Sequence, residues 1–321
     1  MKQFRDILVY AEIDDEACLN QVVTLAAAHG AAITVCEVVE PVPSGQDMRG
    51  VVERLGKLRR ARARQRLKRI VDGFAAHPMI DYSVFTGVPF MAIIEQVVQQ
   101  DFDLVVHISE PVRMDDGAGL NATGMHLMRK CPCAVWALHP ERGEHGPSIT
   151  LALDRERSAQ ATAAEAFAIG LAETALGLAA ARGGDLHVIH AWQPYGFELL
   201  ADPELELDAS DRAAYLRQQQ GDNEQWFRRI VQRIESLAPD GLRVRAELVR
   251  GDAVSVVPQR VEAERSGMLV LGTTGTSANP GVLIGPTTES ILAICGVPVL
   301  ALKPPGFVSP LMLATARDIQ A

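Results

Sequence analysis

Three glycines and two threonines near the end of the sequence have the residue types and spacing to hold a phosphate. Gly272, Gly275 and Gly285 follow the apolar run MLVL, and Thr287 and Thr288 come directly before a second apolar stretch. Glycine lets backbone amides approach an anion closely, and a helix N-terminus presents unpaired N–H groups. The spacing is G-x-x-G, nine residues, then G, which matches neither the Walker loop nor the dinucleotide loop. The segment predicts either another kind of phosphate loop or a tight strand-to-helix connection.

An internal repeat places this loop in a larger pattern. CPCAVWALHP at 131–140 and CGVPVLALKP at 295–304 share Cys, Val, Ala, Leu and Pro at a constant offset of 164. At the same offset, DLVVHIS at 103–109 falls on GMLVLGT at 267–273. No gap separates the matched segments. The sequence therefore predicts a tandem duplication.

Each half shows the same alternation of apolar strands and helical stretches. ILVYAE at 7–12 matches ITLALD at 149–154, and each is followed by an Ala-rich helical stretch. Strands that are apolar throughout and alternate with helices indicate a parallel sheet covered on both faces. We expect two tandem, doubly wound α/β domains with a linker and a tail. The predicted bounds are 1–140 for the first domain, 141–148 for the linker, 149–305 for the second domain and 306–321 for the tail.

The composition and net charge exclude some classes of binding partner. The net charge is −9 and the isoelectric point is about 5.4, so the mean field repels nucleic acid and acidic membranes. The N-terminal segment has acidic residues where a signal peptide needs an apolar run. We expect a cytoplasmic protein with neither nucleic-acid binding nor membrane insertion. Of five cysteines, only CPC at 131–133 forms a close pair, and a buried strand entrance explains it more simply than a redox or metal site.

The glycine spacing, the duplication and the strand order together resemble the universal stress protein family, in particular its tandem, E-class subgroup. The resemblance implies five-stranded domains of the adenine nucleotide alpha hydrolase-like type, packed as an internal pseudo-dimer. The last strands, AVWAL at 134–138 and PVLAL at 298–302, would pair across a two-fold axis. It also implies a regulatory or protective role in stress, with ATP, accompanied by Mg²⁺, as the ligand.

The resemblance assigns a role to each matching position of the second half. The acid at the end of the first strand faces adenosine, although Asp154 is equally suited to capping the next helix. Ala191 contributes a backbone contact to adenine, and Gly251 forms the turn after the third strand. The cradle for ribose and phosphate consists of Gly272, Gly275, Gly285, Thr287 and Thr288. Pro286 departs from the family pattern, where Ser or Thr is usual, and removes one amide donor and one hydroxyl.

The equivalent loop of the first half has lost the glycines. Their positions are occupied by Ile108, Pro111 and Asn121, and Glu12 replaces the adenosine-side aspartate. Side chains at these positions keep a phosphate from approaching the backbone closely. The nearby carboxylates of Glu110, Asp115 and Asp116 repel a triphosphate. ATP binding is therefore expected in the second half only.

Two other functions stay open. One is a nucleotide-free interaction scaffold, with protein partners or a homodimer. The other is an apolar ligand in a groove beside the acidic segment YGFELLADPELELDA at 195–209. That segment is also expected to contact the basic stretch 49–69 of the first half. No catalytic constellation is evident, so at most weak ATP hydrolysis is expected.

Overall fold

A computed structural model gives the fold of most of the chain. It describes residues 4–42, 49–74, 76–77, 79–114, 117–140, 145–155, 161–200, 202–273 and 284–311. The strands of the first half are β1 Asp6–Ala11, β2 Ala32–Val39, β3 Ile80–Thr86, β4 Leu104–Ile108, β5 Val112–Met114, β6 Gly117–Gly119 and β7 Ala134–Leu138. Its helices are α1 Glu16–His29, α2 Arg49–Gly73, α3 Pro89–Gln100 and α4 Ala122–Lys130.

The second half repeats this order. Its strands are β8 Ile149–Ala152, β9 Leu186–Trp192, β10 Val244–Arg250, β11 Met268–Gly272 and β12 Val299–Leu302. Its helices are α5 Ala161–Arg182, α6 Ala209–Leu237, α7 Ala253–Ala263 and α8 Pro286–Ile294.

Ten strands form one continuous sheet in the order β3-β2-β1-β4-β7-β12-β11-β8-β9-β10. The strand order from each outer edge inward is the same in both halves, as a duplication requires. Within each half neighbouring strands are parallel, and helices cover the sheet on both faces. The predicted pair of doubly wound α/β domains is confirmed.

The two halves join through an antiparallel pair of strands. Strand β7 pairs with β12, and Trp136 lies opposite Leu300. Both side chains are almost fully buried, so each strand completes the exposed edge of the other sheet. The two apolar cores, one on each face, run through both halves. The predicted pairing of 134–138 with 298–302 is confirmed.

Local signals set the helix ends. At α1, the side chain of Asp15 accepts a hydrogen bond from the amide of Cys18 (2.8 Å), and Gly30 ends the helix with φ of 63°. At α7, Asp252 accepts from the amide of Ser255 in the same way. These caps fix where each helix begins relative to the preceding strand. The loops at the carboxyl edge of the sheet are therefore held in place.

The structure corrects the predicted loop of the first half. Strands β5 and β6 form a hairpin there. A Cβ atom on Gly119 would lie 2.3 Å from the carbonyl oxygen of Ala293, so only glycine allows this hairpin to pack against α8 of the other half. The contact depends on a residue 174 positions away in the chain.

Two further expectations concern the helices and the acidic segment. Among the described residues, α5 is the one helix with the length and apolar composition of a membrane span. Eight of its residues are buried inside the protein, as in a core helix that passes the same test. Helix α2 leads to β3, one edge strand of the ten-stranded sheet, whereas Phe197 of the acidic segment lies against Arg250 of β10, the other edge strand. The expected contact between the basic and acidic segments within one chain is therefore wrong.

Candidate functional site

A cavity opens at the carboxyl ends of β8 and β11, where the strand order of the second half reverses. Ligands of open α/β sheets bind at such a point. The cavity measures about 210 Å³, less than the 300–1,000 Å³ typical of a site that encloses a whole drug-sized ligand. It can enclose one ring system while the rest of a ligand lies across the rim. Its lining residues are Ala152, Leu153, Asp154, Ala164, Phe167, Ala168, Leu171, Ala191, Ala253, Val257, Leu271, Gly272, Thr287, Thr288 and Ile291.

The structure brings five of the eight sequence-predicted site residues to this cavity: Asp154, Ala191, Gly272, Thr287 and Thr288. Two others lie beside it. The amide of Gly251 donates to the carbonyl of Trp192 (2.9 Å), and the amide of Gly285 donates to the carbonyl of Thr273 (2.8 Å). Gly275 lies outside the described residues.

Close packing explains two of these glycines. A Cβ atom on Gly272 would lie 2.8 Å from Cε1 of Phe167, and one on Gly251 would lie 2.8 Å from Cγ2 of Val256. Both clashes are with side chains of neighbouring helices. Packing of helices against the strand ends therefore accounts for these two glycines whether or not a ligand binds.

Helix α8 begins at the rim of the cavity. Gly285 is its N-cap, without a side-chain cap, and Pro286 is its first residue. The first intrahelical bond runs from Glu289 to Gly285, so the amides of Thr287 and Thr288 have no partner within the helix. The hydroxyl of Thr288 donates to the carbonyl of Gly272 (3.2 Å), which occupies one donor that a phosphate would need.

A buried histidine holds the wall of the cavity. Nδ1 of His190 lies 3.0 Å from the carbonyl oxygen of Leu153, and Nε2 lies 3.3 Å from Oδ1 of Asn223. This links the end of β8, next to Asp154, to helix α6. Burial lowers the pKa of His190 below its usual value, against the effect of its hydrogen bonds. The two partners of His190 lie 37 and 33 positions away in the sequence.

His187 and His190 face opposite sides of the sheet. His187 is 3.7 Å from Glu247 on β10, whereas His190 contacts Trp226 on α6. Within the part of the chain that the structure describes, no group of three or more His, Cys, Asp or Glu side chains could hold a metal ion. Any Mg²⁺ here would depend on the phosphates of a bound nucleotide.

Large side chains occupy the equivalent place in the first half. Tyr10 and His107 stand at the positions of Ala152 and Leu271, and their rings stack with centroids 5.5 Å apart. Both are almost fully buried. The small side chain of Ala152 therefore has a bulky aromatic counterpart in the first half, and a ring also replaces the side chain of Leu271. Burial raises the pKa of Tyr10 far above its usual value.

Polar contacts bridge the rim above these rings. Nε2 of His107 lies 3.0 Å from Oε1 of Glu12, and Nδ2 of Asn121 donates to Oε2 of Glu12 (2.8 Å). Arg66 of α2 donates to the carbonyl of Ala11 (2.9 Å). Glu12 and Asn121 correspond to Asp154 and Gly285, so the two positions that would face a nucleotide here bind each other.

The apolar side chains of the acidic segment lie on the surface. Phe197, Leu199 and Leu205 are each about half exposed, and Tyr195 is more so. The ring of Phe197 lies 5.4 Å from the guanidinium of Arg250. The cavity at β8 and β11 does not include any of these side chains.

Two fused five-stranded units, with a cleft at the strand-order reversal of the second, define a tandem protein of the doubly wound α/β class. The family model described as universal stress protein family matches residues 4–139 and 148–303. The chain belongs to this family.

Individual relatives agree with this assignment. Universal stress protein E of Escherichia coli K12 is 24% identical over 236 residues, which cover 72% of this chain and 70% of that protein. A crystal structure of a universal stress protein from Archaeoglobus fulgidus covers 94% of this chain and 100% of its own, with a TM-score of 0.60 and 15% identity. A universal stress protein solved in complex with cAMP covers 50% of this chain and 99% of its own, with a TM-score of 0.31 and 15% identity. That last similarity is too low to support an argument about this chain.

Proposed function

We propose that this stress-response protein binds one adenine nucleotide, with ATP as the first candidate, in the cleft of its second domain and none in the first. The base would enter the cavity beside Ala152 and Ala191. The phosphates would lie at the N-terminus of α8, near the amides of Thr287 and Thr288, which have no partner within the helix. Asp154 would face the ribose, Gly251 would form the turn at the third strand, and Gly275 and Gly285 would complete the phosphate loop.

One observation carries the proposal: the second domain has a cavity at its strand-order reversal, whereas two positions that line this cavity hold stacked rings in the first domain. Ala152 and Leu271 line the cavity of the second domain, whereas Tyr10 and His107 stack at the equivalent positions of the first. Interiors are close-packed, with few voids larger than a water molecule. A cavity of about 210 Å³ beside amides that have no partner within their own helix is therefore the feature that a ligand would explain.

Calorimetry of the full chain with ATP, ADP and AMP, each with Mg²⁺, tests the proposal. The variant Ala152→Tyr places the side chain of the first domain in the second-domain cavity, and we expect it to abolish nucleotide binding. Ala28→Tyr, on the exposed face of α1, is the matched control and should bind like the wild type. Thermal melting of each variant verifies that it folds. Ala191→Val, which introduces the residue found at the equivalent position Val38 of the first half, is a second test with a smaller change in side-chain volume.

The competing function is a scaffold without nucleotide. It is favoured by Pro286, which has no N–H, and by Thr288, whose hydroxyl already donates to Gly272. Two results together would eliminate the nucleotide site and leave the scaffold. They are no heat on titration with millimolar ATP, and no nucleotide released when the natively purified protein is denatured. An apolar molecule released in the same assay would instead identify a lipid-like ligand.

A further inference from the structure

Two thiols lie together at the junction between the domains. Cys131 directly follows α4, Cys133 directly precedes β7, and their Sγ atoms are 3.5 Å apart. Cys131 is fully buried, whereas Cys133 is partly exposed and lines a cavity of about 550 Å³. A small oxidant can therefore reach the sulfur of Cys133, while the sulfur of Cys131 lies buried in contact with it.

A buried lysine from the other domain lines the same cavity. Nζ of Lys303 donates to the carbonyl of Met128 and lies 4.7 Å from the ring centroid of Phe307. Among the described residues, no carboxylate forms an ion pair with Lys303. A buried ammonium is costly unless it is paired. The groups that favour its charge are the thiols of Cys131 and Cys133.

This environment sets the ionisation of the three groups. Burial lowers the pKa of Lys303 to about 8, against the opposing effect of the two thiols. Burial disfavours a thiolate at Cys131, but hydrogen bonding from Cys133 and the charge of Lys303 lower its pKa overall. The thiolate is the reactive form of cysteine. Burial and the neighbouring Cys131 raise the pKa of Cys133, so Cys131 is the first of the two sulfurs to lose its proton.

The second domain lacks these features at the equivalent position. Cys295 corresponds to Cys131, but Val297 stands in place of Cys133 and His139 in place of Lys303. Burial raises the pKa of Cys295 to about 11. The dithiol is thus particular to this junction, and the repeated fold alone does not require it.

We propose that Cys131 and Cys133 form a reversible dithiol–disulfide switch that hydroperoxides oxidise, with Lys303 promoting the thiolate. Cys133 passes its proton to the thiolate of Cys131 across the Sγ–Sγ contact and attacks one peroxide oxygen. The O–O bond breaks, and the peroxide leaves as an alcohol or water after taking a proton from the solvent. Cys133 is then a sulfenic acid. Sγ of Cys131 attacks Sγ of Cys133, the S–S bond forms, and hydroxide leaves as water with the proton from Cys131. Two molecules of an external thiol return the pair to the reduced form and become a disulfide.

Hydrogen peroxide added to the reduced full chain tests the proposal. After brief exposure, free thiols are alkylated and the digested peptides are sequenced by mass spectrometry. We expect a peptide that has lost two hydrogens and carries a Cys131–Cys133 bond, restored by dithiothreitol, while Cys295 is alkylated. Cys131→Ser should instead give a sulfenic acid at Cys133 that dimedone traps. In Lys303→Met the disulfide should form about tenfold more slowly, whereas Lys68→Met, on the exposed side of α2, should match the wild type.

Two results would overturn the proposal. One is complete alkylation of Cys131 and Cys133, equal to that of Cys295, after a peroxide treatment that oxidises the same amount of free glutathione in a control sample. The other is an unchanged rate in Lys303→Met, which would remove the role of the lysine. If Lys303→Met does not fold by thermal melting, Lys303→Arg keeps the charge and should oxidise at a rate near that of the wild type; a tenfold slower rate would contradict the electrostatic role.

Discussion

Replacement of Pro286 by serine should tighten ATP binding. Pro286 is the first residue of α8, and Gly285 before it has no side chain to cap the helix. Serine would restore one backbone N–H and add one hydroxyl at the end of the helix that faces the cavity rim. A hydrogen bond to a charged group contributes about 1.5–3 kcal/mol, so one restored bond corresponds to about a tenfold to hundredfold gain in affinity. The lost rigidity of proline lowers stability by only about 0.4–1 kcal/mol.

Calorimetric titration of ATP into the variants measures this gain. Pro286→Ala restores the amide without the hydroxyl, so comparison with Pro286→Ser separates the two contributions. Ala122→Ser makes the corresponding change at the start of α4 in the first domain, where we expect no new binding. If Pro286→Ser folds normally and its affinity for ATP equals that of the wild type, the N-terminus of α8 does not contact the phosphates and the reasoning is refuted.

Further predictions concern stability. Because burial lowers the pKa of His190 in the folded state, its stabilising effect is present above the unfolded pKa of about 6.5 and is lost as the pH falls below it. His190→Gln should therefore lose less stability on acidification than the wild type, by urea unfolding; equal losses would contradict this. Trp136→Ala, at the domain junction, should cost about 3–5 kcal/mol in the same assay, whereas the exposed Tyr195→Ala should cost little; similar costs would refute the packing argument.

The architecture was predictable from the sequence because each signal was repeated. Apolar strands recur at constant offsets, and buried parallel strands are apolar throughout. The pairing of 134–138 with 298–302 followed from the family resemblance, and the structure has it with Trp136 opposite Leu300.

The chemistry of the site was less predictable, because it depends on contacts between distant positions. Tyr10 and His107 meet only since β1 and β4 are neighbours in the sheet. The sequence attributed the loss of the first-half site to missing glycines, whereas the structure adds two rings at the positions of Ala152 and Leu271. In the same way, Lys303 reaches Met128, which is 175 positions earlier, and no local pattern of CPC indicates a lysine beside it.

Counting the nucleotides that bind to each chain tests the central claim most directly. Native mass spectrometry of the full chain with excess ATP and Mg²⁺ gives this number without any substitution. We predict one nucleotide per chain, retained in Tyr10→Phe of the first domain and lost in Ala152→Tyr of the second. Two nucleotides per chain, or none, would contradict the account.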